Sequence, residues 1–314
     1  MSSQAAEIIA SPTEKQWRAL GKLMANEQLG VFHWPSFNIM RNWDWSHTLV
    51  MVDYTESVLG GLQYISPPET GVAYVGSFIV APEFRGRNTG RRLWEKMVDN
   101  VGPATPLVLD SCGDMTGKYR TRNGFSFASP HQIMRPRLEA VKLQDAIRRA
   151  VAEEIRSNVL VRHIDPRKPN HHLYQYDAGI AGRERYEFLS HFLQLTDWNG
   201  TYAMDLETGE MLGYGMSTAT GSRECIKIGP LYAESLPVAL LLLEKLIMDC
   251  VKGHLISLQV PSFSKHFLDF LEKETQGGCH TMEITDRSST GQYEEAFDST
   301  RIFSFTGHPC QFDC

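Results

Sequence analysis

The chain has 314 residues, of which 42% are hydrophobic and 22% charged, and its formal net charge is −6. This length exceeds that of a typical single domain, so we expect a soluble globular protein of two domains. The acidic balance argues against a general nucleic-acid binder, which would show a basic excess or stripe. The N-terminus lacks the features of a signal peptide, and the longest apolar run, 237–243, is too short to span a bilayer. Six cysteines without CxxC spacing predict free thiols in a reducing cytoplasm.

The first elements of the chain are predicted from its apolar periodicity. A strand at 6–10 precedes a helix at 13–29, which begins with a capping threonine and carries its apolar residues on one face. Strands at 48–52 and 58–65 form a hairpin. The segment between the helix and the hairpin, 31–45, is unusually aromatic. Two interpretations of it stay open: a lid packed on the core, and a surface that faces a substrate.

The stretch from Tyr74 to Asn100 organises the first half of the chain. Its apolar start predicts a largely buried strand, which Pro82 ends because proline lacks an amide donor for strand pairing. A basic turn at 85–90 follows, and apolar residues recur at helical spacing from Arg91 onward. Such a turn leaves several amide N–H groups unpaired in front of the positive end of the helix dipole. The pattern predicts a pyrophosphate-binding cradle, the alternative being a solvated turn that begins a helix.

The same stretch resembles the acyl-CoA-binding signature of the GNAT superfamily of N-acetyltransferases. That signature, Arg/Gln-x-x-Gly-x-Gly/Ala, follows a strand that ends near Val-x-Pro. Here Val80-Ala81-Pro82 fits, as do Arg85, Gly86 and Gly90, whereas Asn88 replaces the middle glycine. Asparagine tolerates a positive φ better than other residues with a side chain, so the turn can survive this change. The resemblance implies acetyl-CoA as the co-substrate, held by Arg85, Gly86, Arg87, Asn88, Thr89, Gly90 and Arg91.

The rest of the first half agrees with this resemblance. A strand at 107–110, a short helix or turn at 115–123 and a strand at 132–138 are predicted. The order β-α-(lid)-β-β-β-α-β-α-β is similar to that of the GNAT fold across residues 1–138. The implied fold class is α/β (α+β), with a mixed, mainly antiparallel central sheet flanked by helices.

The second half repeats this plan. A charged amphipathic helix at 139–158 is predicted to link a GNAT acetyltransferase domain, 1–138, to a second domain, 159–314, with the same order of elements. In the internal alignment, 234–239 lies opposite the basic turn. It offers a carboxylate in place of an arginine, a proline without an N–H, and no glycine. We therefore predict tandem GNAT-like domains, the second of which lacks the CoA pyrophosphate motif.

Acetyl transfer to an amine needs a base for the amine, donors that polarise the thioester carbonyl, and a proton donor for the leaving thiolate. The resemblance implies that a backbone amide among Phe78, Ile79 and Val80 polarises the carbonyl. It also implies a tyrosine four residues before a Gly-Phe pair as the proton donor. That position holds Arg120, and Tyr119 precedes it. A slip of one residue rotates a helical side chain by about 100°, so Tyr119 is either the donor in an irregular turn or a structural tyrosine.

The other candidates for catalysis and for binding the acceptor come from three places. His33 is the nearest candidate base, because its unperturbed pKa suits the task, and its alternative role is structural. Asp110 and Ser111 end the fifth strand and are candidates to orient the acceptor or a water molecule. His163, His171 and His172 have no metal-binding spacing with any cysteine, so we expect no metal. In GNAT enzymes the segment before the hairpin lines the acceptor site, which implies contacts from Phe32, Trp34, Phe37 and Trp43.

These features predict an acyltransferase that moves an acetyl group from acetyl-CoA to the amine of a small molecule, by direct attack in a ternary complex. The expected partners include neither nucleic acid nor a membrane, and the expected location is cytoplasmic. One alternative is a non-catalytic acyl-CoA-binding or sensory module, which the missing base and the shifted tyrosine favour. A protein-lysine acetyltransferase is a further alternative, for which Asp44, Asp53 and Glu56 supply few acidic residues.

Overall fold

The computed structural model describes residues 6–26, 34–168, 171–195, 198–220, 224–275 and 278–306. Within these ranges the chain divides into two compact units. Unit 1 contains the residues up to Ser129 together with Arg287–Tyr293. Unit 2 contains Pro130–Asp286 and the residues from Glu294 onward. No helix of the described part has the length and apolar character needed to cross a membrane.

Unit 1 is built on five strands that are consecutive in sequence. The strands are β1 (Glu7–Ile9), β2 (Ser46–Val52), β3 (Val58–Ile65), β4 (Ala73–Val80) and β5 (Leu107–Cys112). The helices are α1 (Glu14–Asn26), α2 (Trp34–Ile39), α3 (Thr89–Val101) and α4 (Asp114–Asn123). The strands lie in the sheet in their sequence order. All neighbours are antiparallel except β4 and β5, which are parallel.

The two long helices of unit 1 follow directly from local sequence. Thr13 and Gln16 form a reciprocal capping box in front of α1, in which each amide donates to the other's side chain at 2.9 and 3.3 Å. The apolar face of α3 buries Leu93, Trp94 and Met97 in the core cluster that covers the sheet. The predicted strand and hairpin at the start of the chain are confirmed, as is the helix up to Asn26, whereas its predicted end at 27–29 lies outside the described residues.

Unit 2 combines parallel and antiparallel strand pairs with flanking helices. Its strands are β6 (Phe127–Glu139, which begins in unit 1), β7 (Val159–His163), β8 (Trp198–Asp205), β9 (Met211–Ala219), β10 (Cys225–Ala233), β11 (Leu255–Ser257), β12 (Val260–Pro261), β13 (Cys279–Ser289, which ends in unit 1) and β14 (Ile302–Ser304). Its helices are α5 (Ala140–Ala150), α6 (Glu153–Asn158), α7 (His171–Ala181), α8 (Tyr186–Leu193), α9 (Leu236–Ile247) and α10 (Lys265–Glu274). The sheet order is β13-β6-β11-β10-β9-β8-β7, while β12 pairs with β6 and β14 with β10.

The boundary between the units differs from the one expected at residue 138. Strand β6 is longer than the predicted strand at 132–138, and from Pro130 onward it belongs to unit 2. There it pairs with β11 and β12, for example Leu138 with Ile256. The expected linking helix at 139–158 is instead two helices, α5 and α6, and α5 packs Leu143 and Ile147 into the unit 2 core. The boundary between the units depends on the pairing of β6 with strands more than a hundred residues away. Local periodicity in the sequence does not reveal such partners.

Strand β13 contributes to both units. Its last residues and the following turn belong to unit 1, where the Thr290 amide donates to the Leu107 carbonyl at 2.9 Å. The Leu107 amide in turn donates to the Thr290 hydroxyl at 2.9 Å. A late segment of the chain therefore completes the β5 edge of unit 1. Neither β13 nor β14 is predicted from the sequence.

Candidate active site of unit 1

Strand β4 carries a bulge in its middle. Tyr64 on β3 faces Val75, but Leu62 faces Phe78, so Gly76 and Ser77 on β4 share one opposing residue. Such a bulge interrupts the ladder and increases the local twist of the strand, and bulges are common next to active sites.

The bulge coincides with the point at which β4 and β5 separate. The parallel pairing joins Ala73–Val75 to Leu107–Leu109, yet β4 continues to Val80 and β5 to Cys112. In the described part of the chain, β3 and β5 are the strand neighbours of β4. The second half of β4 therefore presents a row of backbone groups without a strand partner to the space on its β5 side. We call this space the β4–β5 opening.

The basic turn at 85–90 leads directly into α3. Gly86 has a φ of 77°, and Asn88 has the left-handed conformation expected from the sequence, with φ 64° and ψ 3°. The Asn88 side chain makes no capping bond. The Arg92 amide donates to the Asn88 carbonyl at 3.0 Å. The amides of Thr89, Gly90 and Arg91 precede that bond, so the helix itself offers them no acceptor.

The two glycines of this turn have different surroundings. A Cβ on Gly86 would meet no atom within 4 Å, so the backbone there faces open space. A Cβ on Gly90 would come within 3.1 Å of Phe78 Cζ and 3.3 Å of Val80 Cγ2. The first turn of α3 thus packs directly on the second half of β4. The turn and the β4–β5 opening are adjacent for this reason.

Positive charge is concentrated at the same end of α3. Arg85, Arg87, Arg91 and Arg92 are all exposed. Arg85 Nε donates to the Val80 carbonyl at 3.0 Å, which holds this side chain beside the end of β4. Arg91 pairs with Glu95 one turn later in the helix, at 2.7 Å. Cations beside the first amides of a helix form a favourable environment for an anion.

Tyr119 faces the interior of unit 1. Its ring lies 5.9 Å from that of Trp94 and 5.8 Å from that of Phe125, and Trp94 in turn lies 5.7 Å from Phe78. Arg120, at the position where the resemblance implies a tyrosine, is exposed. The structure therefore brings Tyr119 into the aromatic group that includes Phe78 of β4.

A left-handed glycine fixes the end of α4. Gly124 has a φ of 78°, and its amide donates to the Tyr119 carbonyl. This hydrogen bond caps the C-terminal end of the helix, as is common where a helix ends at a left-handed glycine. The helix before it is regular over Asp114–Asn123, so the orientation of Tyr119 does not require an irregular turn.

Asp110 and Ser111 are engaged in internal contacts. Arg287 donates to both carboxylate oxygens of Asp110, from Nε at 2.9 Å and from Nη2 at 3.1 Å. The Asp110 side chain is only 5% exposed and that of Arg287 only 1%. The Ser111 hydroxyl is buried and bonds to the Thr116 hydroxyl at 2.8 Å. Both residues therefore have structural partners, and their expected role in orienting an acceptor or a water molecule stays a prediction. No local pattern in the sequence singles out Arg287.

The aromatic segment divides between core and partly exposed positions. Phe37 and Trp43 are buried, and Phe37 stacks on Trp17 at 4.1 Å between ring centroids. Their burial supports the packing interpretation and argues against the expected substrate contact. Trp34 is half-buried over α1, where a Cβ on Gly21 would lie 2.4 Å from its ring. The remaining two candidates, Phe32 and His33, lie outside the described residues.

Potential metal ligands are present within the described parts of both units. Across the ranges given above, no set of three or more His, Cys, Asp or Glu side chains is arranged to hold a metal ion.

Family models and known structures place this geometry among the GNAT proteins. The model "Acetyltransferase (GNAT) family" matches residues 17–101, and the model "Acetyltransferase (GNAT) domain" matches residues 173–295. An uncharacterized protein of Caenorhabditis elegans is 25% identical over 254 residues, which are 77% of this chain and 76% of that protein.

Two solved structures share the fold over nearly the whole chain. A tandem GNAT protein from the clavulanic acid biosynthesis pathway is similar with a TM-score of 0.68 and 13% identity, over 92% of this chain and 100% of that one. A putative acetyltransferase from Pyrococcus horikoshii has a TM-score of 0.68 and 14% identity, over 99% and 97%. Each half of this chain matches a GNAT model in its own right. The chain therefore belongs to the GNAT superfamily and carries two GNAT domains in tandem.

Proposed function

We propose that unit 1 transfers an acetyl group from acetyl-CoA to the amine of a small molecule in the cytoplasm, by direct attack in a ternary complex. The observation that carries this proposal is the adjacency of the β4–β5 opening to the basic turn at 85–90. One feature suits an extended acyl arm with amide groups, and the other suits a pyrophosphate. Gly90 lies between them, because a Cβ there would crowd Phe78 and Val80 of β4 at 3.1 and 3.3 Å.

The turn fits a pyrophosphate by three properties of its residues. Gly86 and Asn88 have positive φ, a backbone arrangement that helps successive amides converge on an anion. The space in front of Gly86 is clear of side chains. Arg85 and Arg87 are exposed beside the first amides of α3. Charged hydrogen bonds of this kind contribute about 1.5–3 kcal/mol each.

The acyl-CoA supplies an activated thioester, and the chain supplies positioning and hydrogen-bond donors. Backbone amides of Phe78, Ile79 or Val80 would polarise the carbonyl, because the pairing of β4 with β5 ends at Val75 and leaves the β5 side of this stretch without a strand partner. The hydroxyl of Tyr119 would give a proton to the departing sulfur. The support for Tyr119 is its ring, which lies in the same aromatic group as that of Phe78. The candidate base, His33, is not among the described residues.

A non-catalytic acyl-CoA sensor is the second candidate function. The engagement of Asp110 and Ser111 in internal contacts favours it, since this removes two groups that could orient an acceptor. The inward position of Tyr119 favours an enzyme. A protein-lysine acetyltransferase has less support, because Asp53 is occupied within its hairpin turn by the amides of Thr55 and Ser57.

Release of free CoA distinguishes the two functions. The protein is incubated with acetyl-CoA and a panel of aromatic amines, polyamines and amino acids, and thiol formation is followed. We expect amine-dependent release, with Arg85→Glu strongly reduced. Lys252→Glu makes the same charge change at an exposed position of unit 2 and should match the wild type. Binding of acetyl-CoA without release for any amine would favour the sensor.

A further inference from the structure

Unit 2 repeats the strand arrangement that surrounds the β4–β5 opening. Strand β10 pairs in parallel with β11 over Cys225–Lys227, as β4 does with β5. Its pairing with β9 has the same irregularity, because Ile228 faces Ser217 whereas Leu231 faces Gly215. The bulge thus falls directly after the parallel pairing in both units. The backbone of unit 2 therefore forms the same kind of opening beside its central strand.

The two openings differ in what lies beside them. Strand β10 has a third strand partner, β14, which pairs with it beyond the bulge through Leu231–Ser304 and Tyr232–Ile302. On the other side of β14, the Phe305 amide donates at 2.9 Å to the carbonyl of Gln259, a residue that lies just after β11. We infer that the opening beside β10 in unit 2 is a binding site for a strand. Its occupant is the chain's own segment β14, which lies where unit 1 keeps its opening.

Ser304 connects both walls of this site. Its hydroxyl donates to the Ile228 carbonyl at 3.1 Å, at the bulge of β10. The same oxygen accepts from the Gln259 amide at 2.9 Å. A single buried hydroxyl thus satisfies a donor on one wall and an acceptor on the other.

The fit around β14 is also tight and apolar. Ile302, Phe303 and Phe305 are all buried. A Cβ on Gly229 would lie 2.0 Å from the Phe305 carbonyl oxygen, so any side chain at the bulge would displace the inserted segment. Close backbone approach explains why glycine stands at this position.

The segment that leads into β14 is held at the turn that corresponds to the basic turn of unit 1. Glu234, opposite Arg85 in the internal alignment, pairs with Arg301 at 3.2 Å. Arg301 also donates to the Gly179 carbonyl at 3.0 Å and pairs with Asp298 at 2.7 Å. Where unit 1 offers arginine to an anion, unit 2 offers a carboxylate to an arginine of its own chain. The loss of the basic turn and the insertion of β14 are thus parts of one arrangement.

This inference rests on the proposed function in one respect, namely that the opening in unit 1 binds acyl-CoA. The occupancy of unit 2 by β14 can be measured without any ligand, so the two ideas can fail separately.

Hydrogen exchange of the full-length protein, followed by mass spectrometry, tests the insertion. In the wild type the amides of 302–305 should exchange as slowly as those of β10. Gly229→Ala should make them exchange on the order of 100-fold faster, because the inserted segment can no longer seat. Gly117→Ala, in α4 of unit 1, is the control, since its Cβ would meet no atom within 4 Å.

Two further readouts keep the test decisive if Gly229→Ala folds poorly. Ser304→Ala removes only the bridging hydroxyl and should accelerate exchange at 302–305 by about tenfold, while Ser304→Thr should restore part of the protection. Peptides from β4 in unit 1 should be unchanged in every variant. Rapid exchange of 302–305 in the wild type, or unchanged exchange in both Gly229→Ala and Ser304→Ala, would overturn the inference.

Discussion

Arg287 donates two hydrogen bonds to the carboxylate of Asp110, although the two residues are 177 positions apart in the sequence. Both side chains are almost fully buried, and both belong to unit 1. An arginine from the second half of the chain therefore neutralises a carboxylate at the end of β5. Unit 1 is for this reason a domain assembled from two distant stretches of sequence.

Breaking this ion pair should destabilise unit 1. Arg287→Ala leaves the Asp110 carboxylate buried and uncompensated, which costs about 3–5 kcal/mol. Five of the six tryptophans lie in unit 1, so denaturant unfolding followed by tryptophan fluorescence reports mainly on that unit. Arg18→Ala removes an exposed pair with Glu14 and should leave the free energy of unfolding nearly unchanged, because solvent screens such pairs.

A double variant separates the loss of the pair from the loss of packing. Replacing both partners with apolar residues, Arg287→Met with Asp110→Leu, should recover much of the stability lost in Arg287→Ala, because no unpaired charge remains. Equal unfolding free energies for Arg287→Ala and the wild type would contradict the structural role assigned to this pair.

The conformation of Asn88 yields a test of the basic turn. Asn88→Gly should bind acetyl-CoA at least as well as the wild type, because glycine adopts the observed positive φ without cost. Asn88→Ala should weaken binding by about 1–2 kcal/mol, the cost of the left-handed conformation for a residue with a Cβ. Calorimetry gives both affinities. Equal binding by the alanine and glycine variants would show that the turn geometry does not matter for the ligand.

Tyr119 can be tested by removing a single oxygen. Tyr119→Phe preserves the ring contacts with Trp94 and Phe125. If the hydroxyl protonates the leaving thiolate, kcat should fall by about 10²-fold or more, while acetyl-CoA affinity stays the same. Tyr54→Phe, at an exposed hairpin position, is the control. An unchanged kcat across the pH range would return Tyr119 to a packing role.

Phe37 and Trp43 should act through stability rather than through recognition of the acceptor. Both are buried, so Phe37→Ala and Trp43→Ala should each cost about 3–5 kcal/mol of unfolding free energy. Where a variant remains folded, the KM for the amine should match that of the wild type. A raised KM without loss of stability would favour the substrate-facing interpretation of the segment 31–45.

The sequence predicts those parts of the fold that depend on local periodicity and turn chemistry. The β2–β3 hairpin, the strand–turn–helix around Asn88 and the repeated plan of the second half all carry such signals. In contrast, β13 and β14 form by pairing with strands that are far away in the chain, so local sequence does not predict them. Helix α7 is also missed, since its mixed sequence lacks a clear apolar face.

The candidate site shows the same division. The backbone of the turn can be predicted, because positive φ restricts the choice of residue at Gly86 and Asn88. The roles of Asp110 and Ser111 cannot, because Arg287 and Thr116 determine their environment. Whether a residue at the end of a strand is exposed or buried depends on the residues that pack against it, and the local sequence does not identify them.

The central claim is that this tandem protein has one acyl-CoA site, located at the basic turn of unit 1. Calorimetric titration of the full-length chain with acetyl-CoA tests it directly. We expect a stoichiometry near one for the wild type and an affinity loss of about 1–3 kcal/mol in Arg85→Glu, with the affinity of Lys252→Glu unchanged. A stoichiometry of two, or saturable binding that Arg85→Glu leaves intact, would contradict it.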